Sequence, residues 1–154
     1  MHILSIDVGT RHFGFARWID GVVDVGVLEL LSYAGAEKTD YALHVKRLSD
    51  TGFFDDADKV LVEIQMRSCM KTIANTIRGL HWDKTVRIAP QRVKRHFKTT
   101  MGKHAANKKA HVALARRLFP RVQLDFKKKD DVADALVQLS YFLETTIIGA
   151  TVTP

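Results

Sequence analysis

Apolar and polar positions divide the chain into short alternating blocks. From Ile3 to Val8 an apolar run containing β-branched residues ends at Asp7-Val8-Gly9-Thr10, the pattern of a buried strand running into a tight turn. Phe13 to Ile19 reads as a second strand and Val22 to Leu30 as a third, joined at Asp20-Gly21, a strong two-residue hairpin signal. Thr39 or Asp40 is placed to cap a helix running to about Leu48, with Ala42, Val45 and Leu48 on one stripe. Val60 to Ile64 is the next apolar strand. Helical spacing returns at Ile73, Ile77 and Leu80 within Met70 to Trp82, and a short strand from Thr85 to Ala89 stops at Pro90. A loop around Met101-Gly102-Lys103 leads to a helix from about Ala105 to Leu118, which Pro120 ends. A last helix runs from about Asp130 to Thr146, with Val132, Leu136, Leu139 and Leu143 on its core stripe.

The order is thus βββαβαβ followed by helices. No repeat or linker divides it, so residues 1–154 are read as one domain of α/β class. The first three strands pair as hairpins and the later ones, joined by crossover helices, pair in parallel, giving a mixed five-stranded sheet flanked by helices. A chain of 154 residues buries roughly 68–70% of its unfolded surface, enough for a core without disulfide or metal staples. The single cysteine, Cys69, has no internal disulfide partner and fits a reducing, intracellular compartment. The N-terminus lacks the pattern of a signal peptide, and no apolar run approaches the ~20 residues of a membrane span, so a soluble protein without a membrane partner is expected.

Charge changes the picture more than composition does. The net charge of +7 is the sum of three unequal parts: −3 over residues 1–83, +14 over residues 84–129, and −4 over residues 130–154. A basic segment that dense, interleaved with His96, Phe97, His104 and His111, favours a polyanion, nucleic acid first among them. The acids are placed as deliberately. Asp7 and Glu63 each close an apolar strand, where an unpartnered carboxylate is costly. Asp131 and Asp134 lie three apart on the last helix and share a face, with Asp130 beside them. Brought together about 4 Å apart, each such pair repels by about 4 kcal/mol at an effective dielectric of 20, which calls for divalent cations. Oxygen ligands select Mg²⁺ or Mn²⁺. Zinc is disfavoured, since the seven histidines show no close ligand spacing and Cys69 stands alone.

Three motifs together resemble the RuvC-like Holliday junction resolvases of the ribonuclease H-like superfamily, especially the poxvirus type. They are Ile6-Asp7-Val8-Gly9-Thr10 with Gly14 downstream, Val60-Leu61-Val62-Glu63 with Gln65 following, and Asp131-Val132-Ala133-Asp134-Ala135-Leu136. The first also occurs in sugar kinases, actin-like ATPases and YqgF-type proteins. The third discriminates, because YqgF-type proteins do not usually end with that pair. The resemblance implies that Asp7, Glu63, Asp131 and Asp134 bind metal, two ions per active site, with Asp130 the competing choice for Asp131. It also implies lysines near the last helix: Lys94 at one position, and Lys108 or Lys109 at the second, with Lys108 taken as catalytic. Bacterial members carry an aromatic three positions after the second carboxylate, where this chain has Met66. Arg11, Met66, Arg67, Arg92, Lys94, Lys98, Lys103 and Lys109 are the expected DNA contacts.

The implied activity is an endodeoxyribonuclease that resolves four-way DNA junctions by paired symmetric nicks, acting as a homodimer. The stripe Ile73, Ile77 and Leu80 is either the dimer interface or core. In the implied chemistry, two ions about 3.5–4 Å apart bind the scissile phosphate. Two other readings stand beside it. One is a ribonuclease H-like nuclease acting on structured RNA or RNA–DNA hybrids. The other is a non-catalytic nucleic-acid-binding module, against which the retention of a repelling acid cluster argues. The poxvirus-like character points to a virus with a large DNA genome, and to the host cytoplasm or the site of viral DNA replication as the place of action.

Overall fold

The structure is a computed structural model that describes residues 1–30, 37–99 and 104–148. Strands β1 (His2–Asp7), β2 (His12–Ile19) and β3 (Val22–Glu29) form an antiparallel meander. Between β2 and β3, Asp20 (φ 47°) and Gly21 (φ 96°) both take positive φ, as a two-residue turn of the type that matches strand twist requires. Helix α1 (Tyr41–Asp50) starts at Asp40, whose carboxylate accepts from the Leu43 amide at 3.2 Å. Strand β4 (Lys59–Glu63) then pairs with β1, and helix α2 (Ser68–Leu80) crosses over to β5 (Thr85–Ile88). The sheet order is β3-β2-β1-β4-β5, antiparallel from β3 through β2 to β1 and parallel from β1 through β4 to β5.

One element differs from the sequence reading. Pro90 does not merely stop β5; it opens helix α3 (Pro90–Phe97) as its first residue, where a missing N–H and a fixed φ suit a helix start. The helix ends at Lys98, which takes a left-handed conformation (φ 54°), and His96 Nε2 lies 2.8 Å from Glu144. Helices α4 (His104–Leu118) and α5 (Lys129–Phe142) follow, and α5 continues as a π-helical turn, Leu143–Ile148. Among the described residues no helix is long and apolar enough to cross a membrane.

The sheet carries a core on each face. Leu4, Ile6, Val60 and Val62 point to one side, against Val45, Leu48, Ile73 and Ile77 of α1 and α2. Ile73 and Ile77 are fully buried there, so they belong to the core, while Leu80 remains 40% exposed. On the other side Ile3, Ala16 and Leu61 meet α5, which is buried almost all round: Val132, Ala133, Ala135, Leu136 and Leu139 have no exposed surface. A stripe was expected, but a helix laid across the central strands and covered by α3 and α4 has little solvent face.

Two contacts fix how α5 lies. Gln138, buried, donates through Nε2 to Ser5 Oγ (2.9 Å) and Leu61 O (3.1 Å), with Ile6 O at 3.4 Å, and Ser5 Oγ donates to Ala135 O at 2.8 Å. Near the start of the helix, a Cβ at Gly14 would overlap the Asp131 carbonyl group, so the absence of a side chain on β2 is what lets α5 begin so close to the sheet.

Candidate active site

Parallel pairing of β1 and β4 decides where the chemistry sits. Ile6 is the register partner of Val62, so Asp7 and Glu63, each one residue further, end adjacent strands side by side. Neighbouring them is the N-terminal half of α5, with Asp130 and Asp131 in its first turn and Asp134 one turn on. A cavity of about 200 Å³ is lined by Asp7, Glu63, Lys94, Lys108, His111 and Asp134, over a floor that includes Val93, Val137 and Gln138. A wider hollow of about 450 Å³ shares Asp7, Lys108 and Asp134 and adds Arg11, Arg67, Lys128 and Asp131. The two are lobes of one acidic cleft with a basic rim.

The electrostatics of the lobes match that geometry. Burial, followed by the charges of Asp134, Glu63 and Asp131, pushes the Asp7 carboxyl well above the ordinary carboxylate range, with Lys108 opposing. Glu63 is raised to about 7, first by burial and then by Asp134, against Lys94 and His111. Asp131 is also raised, by burial and by its neighbour Asp130. Asp130 goes the other way, because Lys108 Nζ donates to it at 2.5 Å. That ion pair separates the two competing acids: Asp131 faces the cleft and Asp130 holds a lysine.

Asp7, Glu63, Asp134, Lys94 and Lys108 therefore share the inner lobe, and Asp131, Arg11 and Arg67 the outer one. Arg11 is also within 3.3 Å of Glu29. Met66 is 77% exposed in the turn after β4. Arg92, Lys98 and Lys109 are exposed on or beside α3 and α4 but line neither lobe, and Lys103 lies outside the described residues. Of the two adjacent lysines on α4, Lys108 lines the cleft and Lys109 does not.

Two residues of the cleft were not singled out as site residues. Lys128 adopts a left-handed conformation (φ 66°) just before α5. His111, one of the histidines interleaved in the basic segment, is mostly buried, with Nδ1 2.5 Å from Asp134 and, among the described residues, no partner for Nε2. Its spacing held the clue: it lies three residues after Lys108, so the two share a face of α4.

Among the described residues, no three His, Cys, Asp or Glu side chains close on one point as a formed metal site. An all-oxygen set with two carboxyls pushed upward by burial and repulsion is the donor chemistry that a hard divalent cation satisfies.

A mixed sheet in this order, with acids ending its two central parallel strands and a second pair on the helix laid across them, is the ribonuclease H-like fold of the RuvC type. Solved structures bear this out. The fowlpox virus Holliday junction resolvase superposes with a TM-score of 0.67 at 15% identity, covering 96% of this chain and 100% of that one. The fowlpox resolvase bound to substrate Holliday junction DNA gives 0.65 at 17%, covering 95% and 99%. RuvC of Thermus thermophilus, in complex with a Holliday junction substrate, gives 0.62 at 13%, covering 95% and 96%. No curated protein matches the sequence significantly. The chain belongs to the poxvirus A22 protein family, whose match spans residues 1–145.

Proposed function

We propose that this protein is a junction-resolving endonuclease of the poxvirus A22 family, which cuts four-way DNA by paired symmetric nicks at the site of viral DNA replication. The observation that carries the reading is the meeting of four carboxylates from three chain segments with Lys94 and Lys108 in one cleft of a family member.

Asp7, Glu63, Asp131 and Asp134 would hold divalent cations, Mg²⁺ or Mn²⁺, two per site, and the chemistry such cations would supply is Lewis-acid polarisation of the scissile phosphate and a lowered pKa for an attacking water. The chain's own part is positional. Asp7 and Glu63, fixed by the paired strands, supply rigid oxygens. Asp134 is oriented by His111, and Lys108 is steadied by Asp130. Lys94 and Lys108 place positive charge where the pentacovalent phosphorus builds negative charge. Arg11 and Arg67 on the rim, with Arg92, Lys98, Lys103 and Lys109 beyond it, hold phosphates of the arms and so set orientation without reading much sequence. A junction has two equivalent strands to cut, which makes a homodimer the functional unit.

The test offers the protein a four-way junction, a flap, an RNA–DNA hybrid and a structured RNA in Mg²⁺. Paired nicks on the junction that ligase reseals are the expected result; preference for hybrid or RNA overturns the assignment. Asp7→Asn and Glu63→Gln each abolish nicking while leaving junction binding within severalfold of the parent, measured by gel shift in chelator. Ordinary turnover by either variant removes the carboxylate mechanism.

A further inference from the structure

On the face of the sheet opposite α5 lies a second hollow, of about 90 Å³, between α2 and the edge strand β5. Its floor includes Val62, and its walls carry Lys71, Asn75 and Arg78 from α2 and Arg87 from β5. Both origins follow from the sequence. Positions 71, 75 and 78 recur at helical spacing on one side of α2, and the register partner of Arg87 is Val62, so the two side chains leave the sheet on the same face. Lys71, Arg78 and Arg87 are all exposed, and among the described residues none is ion-paired. Among the described residues the only acid on the border is Glu63, which also lines the catalytic cavity. Three unpartnered cations gathered in one hollow repel each other until an anion enters.

We infer that this hollow is a second DNA seat, in which Lys71, Arg78 and Arg87 hold the phosphodiester backbone of a junction arm on the face of the sheet away from the catalytic acids. Dimensions favour a strand of nucleic acid. Seven residues of helix advance about 10 Å, so Lys71 and Arg78 are spaced along α2 on the scale of a short run of strand backbone, with Arg87 of β5 beside them. Asn75, between the two helix cations, supplies a neutral donor to the same strand. Because Glu63 borders both hollows, an arm leaving the catalytic cleft around the end of β4 passes directly into this one. The inference rests on the junction-nuclease reading and adds a contact surface that lies outside most of the +14 segment.

The experiment compares the full-length protein with a triple variant, Lys71→Gln, Arg78→Gln and Arg87→Gln, and with a charge-preserving pair, Arg78→Lys and Arg87→Lys. Binding to a four-way junction and to a linear duplex is measured in chelator across a salt series, and nicking is followed at saturating protein in Mg²⁺. Each lost phosphate contact removes about 0.9 from the slope of log affinity against log salt, so the triple variant loses roughly 2–3 and binds the junction about tenfold or more weaker at 0.1 M salt. Its nicking rate at saturation stays within about twofold of the parent's, since no substituted side chain reaches the catalytic cleft, and the lysine pair keeps the parent slope. An unchanged slope in a folded triple variant overturns the seat, as does an equal loss in the lysine pair, which marks a structural role. A parent that binds duplex with this slope change yet never nicks a junction leaves the seat standing and removes the nuclease reading; a parent that binds no DNA removes both.

Discussion

A carboxylate at the end of β1 has apolar strand residues behind it and three other acids around it, so without cations the least costly state of the cleft keeps protons. Glu63 has an ordinary value of 4.5 and is raised to about 7 in the fold, and Asp7 is raised as well. An acid raised on folding binds more protons in the native state than in the unfolded one, so its contribution is present in full below the unfolded value and is lost as pH climbs through the folded one. Cation-free protein is therefore expected to lose stability between about pH 4.5 and 7, on the order of 3 kcal/mol from Glu63, and to regain it when Mg²⁺ is added. Thermal melts in chelator across that window check both signs; stability rising with pH would remove the raised acids. For the same reason Asp7→Asn, expected to destroy nicking, is also expected to raise the cation-free Tm at pH 7 by about 2–8 °C, corresponding to about 1–2 kcal/mol. At this scale the sequence was legible where a charge interrupts an apolar run, as at Asp7 and Glu63. It was not legible where a side chain works through a partner 20 or more positions away: the choice between Asp130 and Asp131 turns on Lys108, and the place of His111 on Asp134.

Elements explain why those side chains converge. Strand periodicity and the Asp20-Gly21 turn were enough to foresee the meander, and the crossover helices enough to foresee the parallel strands. Helix α3 escaped because proline ends a strand and begins a helix equally well; the distinction lies in whether residues 91–97 find a surface to cover, and Val93 finds it at the floor of the cleft. The depth of burial of α5 escaped as well, since it depends on Gln138 and Ser5 meeting across the sheet. Gly14 is the tightest point of that docking. Gly14→Ala forces the first turn of α5 away from β2, displacing Asp131 and Asp134 together, and is expected to lower the nicking rate at least tenfold and stability by about 1–3 kcal/mol, the usual range for overpacking. Nicking and melting of the purified variant decide it; parent-like nicking would show that α5 is free to shift without loss.

For the molecule as a whole, net charge is a poor guide to the working surface. Several bases of the +14 segment are already engaged: Lys84 donates to the carbonyls of Phe54 and Asp55, and Arg116 reaches Leu124 O and Asp125. The rim of the cleft and the α2–β5 hollow, by contrast, concentrate bases from different parts of the chain. Junction binding is expected to weaken steeply with salt and to persist in chelator, while nicking stops; a flat salt response would show that these bases do not touch DNA. The division of the proposed catalytic acids between β1 and α5 reaches beyond catalysis. Asp7 leaves the ribosome well before Asp134, from which 126 intervening residues separate it. Any product of premature termination before residue 131 therefore carries only half the carboxylates. Under the proposed function, a chain that stops short of α5 has no competence to nick, because neither Asp131 nor Asp134 is present.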